Sequence, residues 1–232
     1  MTKLGSETLP KEPRGLLILL EGLDRAGKTT QCELLRQKLA RLNGEQKVRV
    51  QKVPDRSTET GQVINAYLGS ITTFPDQSIH LLFSANRWEL QNSIISSIES
   101  GQTVILDRYV PSGISYSLAK NVPGMSLDWC LSPDRGLPRP DLTIFLDIDP
   151  QLAKSSLRED FGKERYEVSE FQTTVRSHFK VLLGNGVTKG CLDMGRVVMI
   201  DATKSIEQIE SEIWEVFELY KDLISEPLAS IR

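Results

Sequence analysis

The alternation of apolar and polar stretches divides this chain into short strands separated by helices. Five segments read as strands: Leu16–Leu20, Val48–Val53, Thr103–Asp107, Leu142–Asp147 and Val197–Ile200. The first is a continuous apolar run, as expected of a strand buried on both faces. Between the strands, apolar residues recur at helical spacing. A helix opens after Gly27 and runs to about Leu42, with Leu34, Leu35, Leu39 and Leu42 on one side and Asn43-Gly44 as its stop. A short helix spans about Thr60 to Leu68. A long one runs from Pro75-Asp76 to Ser100-Gly101 and carries Ile79, Leu82, Phe83, Trp88, Ile94, Ile95 and Ile98.

Ser112 to about Asn121 reads as helix, Ser126 to Cys130 as a turn of helix, and the proline- and glycine-rich stretch from Ser132 to Pro140 as loop. Asp149-Pro150 opens a helix to about Arg158. Another runs from about Glu170 to Leu183, ending at Gly184-Asn185-Gly186, and the stretch on to Gly195 reads as a surface loop. Ser205 and Gln208 form a capping box before Ile206, Ile209, Ile213, Phe217, Tyr220 and Ile224. The order predicts an α/β fold, a five-stranded parallel sheet flanked by helices on both faces. Residues 14–232 are expected to form one domain behind a polar, mobile N-terminal tail, Met1 to Pro13. Glu159 to Tyr166 is charged, lacks an apolar period and has Gly162 at its centre, which suggests a short lid over about 159–166.

Composition narrows the partners. The 232 residues carry 28 basic and 31 acidic side chains, a net charge of −3, so no basic excess points to nucleic acid. No apolar run is long enough to span a membrane. Cys32, Cys130 and Cys191 are widely spaced and odd in number, which fits neither a disulfide framework nor a zinc site. The expected setting is reducing and intracellular, cytoplasmic or nuclear.

The chemistry enters at the end of the first strand. Gly22, Gly27, Lys28 and Thr29 stand at the fixed places of a G-x-x-x-x-G-K-[ST] loop, followed by a helix-compatible segment. Such a loop turns successive backbone N–H groups into one concavity at a helix N-terminus, where anions are favoured. Lys28 can neutralise β- and γ-phosphates, and the Thr29 hydroxyl can reach Mg²⁺.

Moving a phosphoryl group between two anions needs further cations. Arg25 lies in the loop, Arg56 follows the second strand and Arg108 the third. Each alone reads as a surface arginine; together they sit at strand ends that converge on one crevice. Asp107, at the end of the third strand, can hold Mg²⁺ through water, or else cap a helix or pair with Arg108. Phe83 and Arg87 share a helix face. Spacing alone favours core packing plus a solvated arginine; the other reading is an aromatic and a guanidinium placed to hold a planar base.

The whole set resembles the thymidylate kinases. The resemblance rests on Glu21-Gly22-Leu23-Asp24-Arg25-Ala26-Gly27-Lys28-Thr29-Thr30-Gln31, Arg56-Ser57-Thr58, Leu82-Phe83-Ser84-Ala85-Asn86-Arg87-Trp88-Glu89 and Asp107-Arg108-Tyr109. Gly136-Leu137-Pro138-Arg139-Pro140-Asp141-Leu142, Glu164-Arg165-Tyr166-Glu167 and Asp201-Ala202-Thr203-Lys204-Ser205 extend it over nearly the whole chain. Arginine inside the loop resembles the eukaryotic and poxviral type. The resemblance implies the phosphate-loop kinase fold and Mg²⁺-dependent transfer from ATP to dTMP, giving dTDP for dTTP synthesis, usually in a homodimer.

Gly22, Asp24, Arg25, Ala26, Gly27, Lys28, Thr29 and Thr30 would then meet ATP, with Thr29 and Asp107 toward the metal. Arg158 and the Ala202-Thr203-Lys204 turn would bracket adenine. Lys28, Arg25, Arg108 and Asp107 would be catalytic. In dTMP binding, Asp24 would face the sugar, Arg56 and Arg108 the 5′-phosphate, Phe83 and Arg87 the thymine. Tyr116 would crowd the deoxyribose, and Tyr166 and Gln172 would close from the lid side.

Three features depart from the family pattern. Asp55 stands where many members have Glu, Pro111 replaces an aromatic and could reshape a wall of the acceptor pocket, and Gly184 to Gly195 looks long. Two other readings stay open: a kinase of another acceptor, which for a nucleoside needs a carboxylate base, and a nucleotide-dependent switch without transfer. The paired Arg56 and Arg108 weigh against a nucleoside acceptor and against the switch, while a different monophosphate stays open.

Overall fold

A computed structural model describes residues 13–153, 165, 166, 168–184, 190–223 and 227–232. The strands are β1 (Leu17–Gly22), β2 (Val48–Lys52), β3 (Thr103–Asp107), β4 (Leu142–Asp147) and β5 (Arg196–Asp201). They form one sheet in the order β2-β3-β1-β4-β5. Every neighbouring pair is parallel. The helices are α1 (Lys28–Asn43), α2 (Glu59–Leu68), α3 (Asp76–Glu99), α4 (Val110–Leu118), α5 (Leu127–Leu131), α6 (Pro150–Ala153), α7 (Ser169–Leu183) and α8 (Ile206–Tyr220).

Strand side chains alternate between faces, and that alternation builds two cores. Leu17, Leu19, Val104, Leu106 and Phe145 pack beneath α3, α4 and α7, against Leu90, Ile94, Ile114, Val175 and Phe179. Ile18, Leu20, Ile105, Ile144 and Leu146 pack on the other face against Leu35 and Leu39 of α1 and Ile209, Ile213 and Phe217 of α8. Because both faces are covered, β1 is buried at every position.

Some details differ from the sequence reading. Leu35, Leu39 and Ala40 carry the buried side of α1, whereas Leu42, near its C-terminal end, is 65% exposed. The fourth helix starts at Val110 rather than Ser112, because its first N–H groups find a buried carboxylate partner described below. Ser132–Asp134 closes into a 3-10 turn. The described part of the stretch before Gly195 is not a plain surface loop. Leu192 and Met194 are buried, and Cys191 and Leu192 donate backbone N–H bonds to Val181 and Leu182. The capping box at Ser205 and Gln208 is present. The tail up to residue 12, Arg158, Ile224 and lid positions 159–164 lie outside the described residues.

Candidate active site

β1 is the central strand, and β3 and β4 flank it. Their carboxyl ends deliver Gly22, Asp107 and Asp147 to one crevice, the place where open parallel sheets bind ligands. Gly22 has φ +151°, and a Cβ there would sit 2.7 Å from the Leu146 carbonyl oxygen. Gly27 has φ +86° and is the N-cap of α1. Arg25, inside the loop, is also held in the left-handed region at φ +67°.

Lys28 is buried, and its ammonium donates to the Leu23 carbonyl at 2.5 Å. Burial lowers its pKa to about 8, helped by Arg108 and opposed by Asp24, Asp107 and Glu21. Thr29 donates its hydroxyl to Asp107 at 2.5 Å. Asp107 therefore neither caps a helix nor pairs with Arg108. A hydroxyl and a carboxylate in contact are the hard oxygen donors that Mg²⁺ accepts. Among the described residues no three acidic, His or Cys side chains gather to hold a metal unaided. A cation at Thr29 and Asp107 would therefore draw its remaining ligands from phosphate and water.

Arg108 pairs with Asp24 instead. Its other terminal nitrogen donates to the Gly22 carbonyl at 3.0 Å and to the Ser112 hydroxyl at 3.1 Å. The second Asp24 oxygen accepts from Tyr116 at 2.9 Å and Gln172 at 2.7 Å. Burial pushes the Asp24 carboxyl up, but Arg108, Lys28 and the two hydrogen bonds outweigh it and leave its pKa lowered.

Glu21 holds this arrangement from below and was not singled out from sequence. It is fully buried and accepts from the Tyr109 and Ser112 amides at 2.9 and 3.0 Å and from the Ser112 hydroxyl at 2.7 Å. It thereby satisfies orphan donors at the start of α4, just after Arg108, which sits at φ +70°. Burial raises the Glu21 pKa despite Arg108 nearby. The sequence signal was an acid ending a buried apolar strand.

Two cavities meet here. An outer cleft of about 1400 Å³ is lined by Arg25, Ala26, Gly27, Lys28, Thr29, Thr30, Asp107, Ala202, Thr203 and Lys204. An inner cavity of about 160 Å³ is lined by Phe83, Arg87, Tyr116 and Tyr166, among others. Asp24, Val53, Pro54, Arg56 and Arg108 line both. Arg56 is exposed, with one guanidinium nitrogen on Asn65 at 2.9 Å. Lys204 lines the cleft and pairs with Glu212 at 2.6 Å.

The Arg87 side chain corrects the expectation of a solvated arginine. It is 1% exposed and forms a two-pronged bond with Asp134, from Nε at 3.0 Å and Nη2 at 2.6 Å. Asp134 also accepts from Ser84 at 2.6 Å. Nη1 faces Gly113, where a Cβ would come within 2.7 Å of it. Sequence reasoning missed Asp134, which lies in the stretch read as loop.

Tyr166 stacks on Phe171 and bonds to the Tyr67 hydroxyl at 2.7 Å. Its neighbour Arg165 caps α2 from outside: the Arg165 amide donates to Leu68 O, Nε to Tyr67 O and Nη2 to Thr72 O. This suits a cation at a helix C-terminus. Gln172 is buried and donates to Asp24, so it reaches the cavity through Asp24. Pro111 is buried in the first turn of α4 and is not part of the cavity wall.

A glycine-turned loop with a buried lysine at one cavity, and arginines shared with a second, are the marks of a phosphate-loop kinase. A sequence profile of the Thymidylate kinase family matches residues 20–213. The chain is 46% identical over 205 residues to a thymidylate kinase of Schizosaccharomyces pombe, covering 88% of this chain and 92% of that one. It is 42% identical over 200 residues to that of Homo sapiens, covering 86% and 88%. A solved thymidylate kinase from Candida albicans superposes with a TM-score of 0.81 at 41% identity, covering 95% of this chain and all of that one. The chain belongs to the thymidylate kinase family, and its fold is the phosphate-loop kinase fold.

Proposed function

We propose that the outer cleft takes ATP, the inner cavity takes dTMP, and transfer occurs where Asp24 and Arg108 join them. As a member of its family the chain is a dTMP kinase, a transferase that makes dTDP and ADP from dTMP and ATP. The observation that carries the site assignment is the wall shared by the two cavities beneath the phosphate loop. It puts a second set of cations, Arg56 and Arg108, beside the first, Lys28 and Arg25.

In this reading the loop amides and Lys28 hold the ATP phosphates, and Ala202, Thr203 and Lys204 flank adenine, with Arg158 assigned there by resemblance. Arg25 meets the transferring phosphoryl. Arg56 and Arg108 hold the dTMP phosphate, Phe83 stacks on thymine and Arg87 meets its carbonyl edge. Tyr116 and Tyr166 border the sugar. Thr29 and Asp107 would hold Mg²⁺, which would supply positive charge to neutralise the phosphates. Transfer needs positioning and charge neutralisation more than proton movement. A phosphate acceptor is already ionised at neutral pH, and both Asp24 oxygens are engaged by Arg108, Tyr116 and Gln172. Asp24 is therefore a positioning acid and no general base is assigned. Closure of the lid over about 159–166 would exclude water, which otherwise hydrolyses ATP.

The same proposal has the enzyme working as one domain over residues 14–232, inside the cell and as a homodimer. The free thiols Cys32, Cys130 and Cys191 suit a reducing compartment. Leu81 and Trp88, seven apart on α3, expose apolar surface that suits a second copy. No helix among the described residues is long and apolar enough to cross a membrane.

The test is ADP release by purified protein with ATP and Mg²⁺ across dTMP, dUMP, dCMP, AMP and thymidine. Turnover with dTMP well above the others supports the assignment. Turnover with thymidine but not dTMP, or equal turnover with AMP, refutes it.

A further inference from the structure

We propose that His80 and Ser117 fix the hydrogen-bond polarity at the base end of the inner cavity, and so select bases that present a ring N–H beside a carbonyl. This rests on the inner cavity being the dTMP site. His80 and Ser117 both line that cavity, and His80 is 1% exposed.

The polarity follows from one contact. His80 Nε2 lies 2.9 Å from the Cys130 carbonyl oxygen. A carbonyl only accepts, so Nε2 carries the proton and donates. In the neutral ring Nδ1 is then an acceptor. Ser117 Oγ lies 2.7 Å from Nδ1 and must donate its single proton there. The lone pairs of Ser117 are what remains for the cavity. Burial and the nearby Arg87 lower the His80 pKa, with the Cys130 carbonyl and Asp134 opposing and Lys120 assisting, and the net direction favours the neutral ring.

The Arg87 side chain has the opposite polarity. Asp134 takes Nε and Nη2, leaving Nη1 as a donor toward Gly113 and the cavity. His80 and Arg87 are seven residues apart on α3, and Gly113 and Ser117 are four apart on α4, so the two readers sit on facing helices. A fixed donor and a fixed acceptor lining one cavity match the O4 and N3–H of thymine and uracil. Cytosine presents the reverse, an amino group and an unprotonated ring nitrogen, and meets like against like at both points. His80 is a positioning residue: it acts by denying Ser117 the rotation that would suit cytosine.

The test measures kcat/KM for dTMP, dUMP and dCMP, with KM for ATP, in the full chain and five variants. Ser117→Ala is expected to lower the dTMP-to-dCMP ratio roughly tenfold, through KM for dTMP, with KM for ATP unmoved; Ser117→Thr keeps the ratio. His80→Asn places a carbonyl oxygen near the Nδ1 position and keeps the ratio. His80→Gln restores the donor to Cys130 but not the acceptor for Ser117, and lowers it as Ser117→Ala does. The double variant Ser117→Ala/His80→Gln falls no further than Ser117→Ala.

An unchanged ratio in Ser117→Ala, equal losses in His80→Asn and His80→Gln, or additive losses in the double variant would overturn the inference while leaving dTMP kinase activity established. Should the His80 variants fail to fold, the Ser117 pair decides. A wild-type protein that does not use dTMP would overturn the acceptor reading first, and this inference with it.

Discussion

Arg108, at the end of β3, is ion-paired with Asp24 of the phosphate loop, and the pair forms the wall between the two cavities. The cation assigned to the acceptor phosphate is thus preset by an acid from the donor loop. Arg108→Ala is expected to lower kcat by roughly 10²–10³, the usual loss when one preorganised charge is removed. It should also leave the half-buried Asp24 without its main partner. Asp24 has a depressed pKa, so its ionised form adds stability above the unfolded value of 3.8 that is lost as pH falls through the folded one. Without Arg108 the largest lowering influence is gone, so the folded pKa rises and acid unfolding moves to higher pH. Unchanged kinetics with an unchanged acid limb would remove Arg108 from the site.

Lys28 gives a second pH signature. With no nucleotide bound its pKa is lowered to about 8 by burial. Between there and the ordinary 10.5 the unfolded chain binds more protons, so this group makes stability rise with pH across that window. ATP phosphates would restore the charge. Binding at about pH 9 should therefore take up protons, and binding at about pH 6.5 should involve no uptake by this group. Calorimetry in two buffers of different ionisation heat measures this directly, and the uptake should vanish in Lys28→Met.

The contact between Thr29 and Asp107 makes the metal role testable. Asp107→Asn should cut turnover by roughly 10² and raise the Mg²⁺ concentration for half-maximal rate. A variant with normal Mg²⁺ dependence would assign Asp107 to holding Thr29 alone.

Asp134 tests the base pocket through stability. Arg87 and Asp134 are almost wholly buried, and removing one partner leaves the other charge uncompensated. Asp134→Ala should cost about 3–5 kcal/mol in urea unfolding. The double change Arg87→Met/Asp134→Leu should recover most of that and none of the dTMP activity. Recovery of both would mean the pair is only structural.

These residues also show what the sequence reveals and what it hides. β1, β3 and β4 are legible because strands buried on both faces leave mostly apolar runs, and the phosphate loop is legible because its spacing is local. Lys28, Arg25, Arg56 and Arg108 could be assembled from strand ends, since parallel topology brings those ends together. Asp134 could not, because its partner lies 47 residues away and no local pattern joins a loop acid to a helix arginine. That missing partner is also why Arg87 read as solvated. Glu21 sat inside the quoted motif, but its work is done for the start of α4, 88 residues on at Tyr109. His80 carries no local signal within the long helix, and its polarity appears only once Cys130 and Ser117 are placed around it.

The most direct test of the shared wall is the inhibition pattern of a bisubstrate analogue, thymidine and adenosine joined 5′ to 5′ by a phosphate chain long enough to span both cavities. If the cavities meet at Asp24 and Arg108, the analogue competes with both ATP and dTMP, and Arg108→Ala weakens it sharply. Competition with ATP alone, unaffected by Arg108→Ala, would contradict the account.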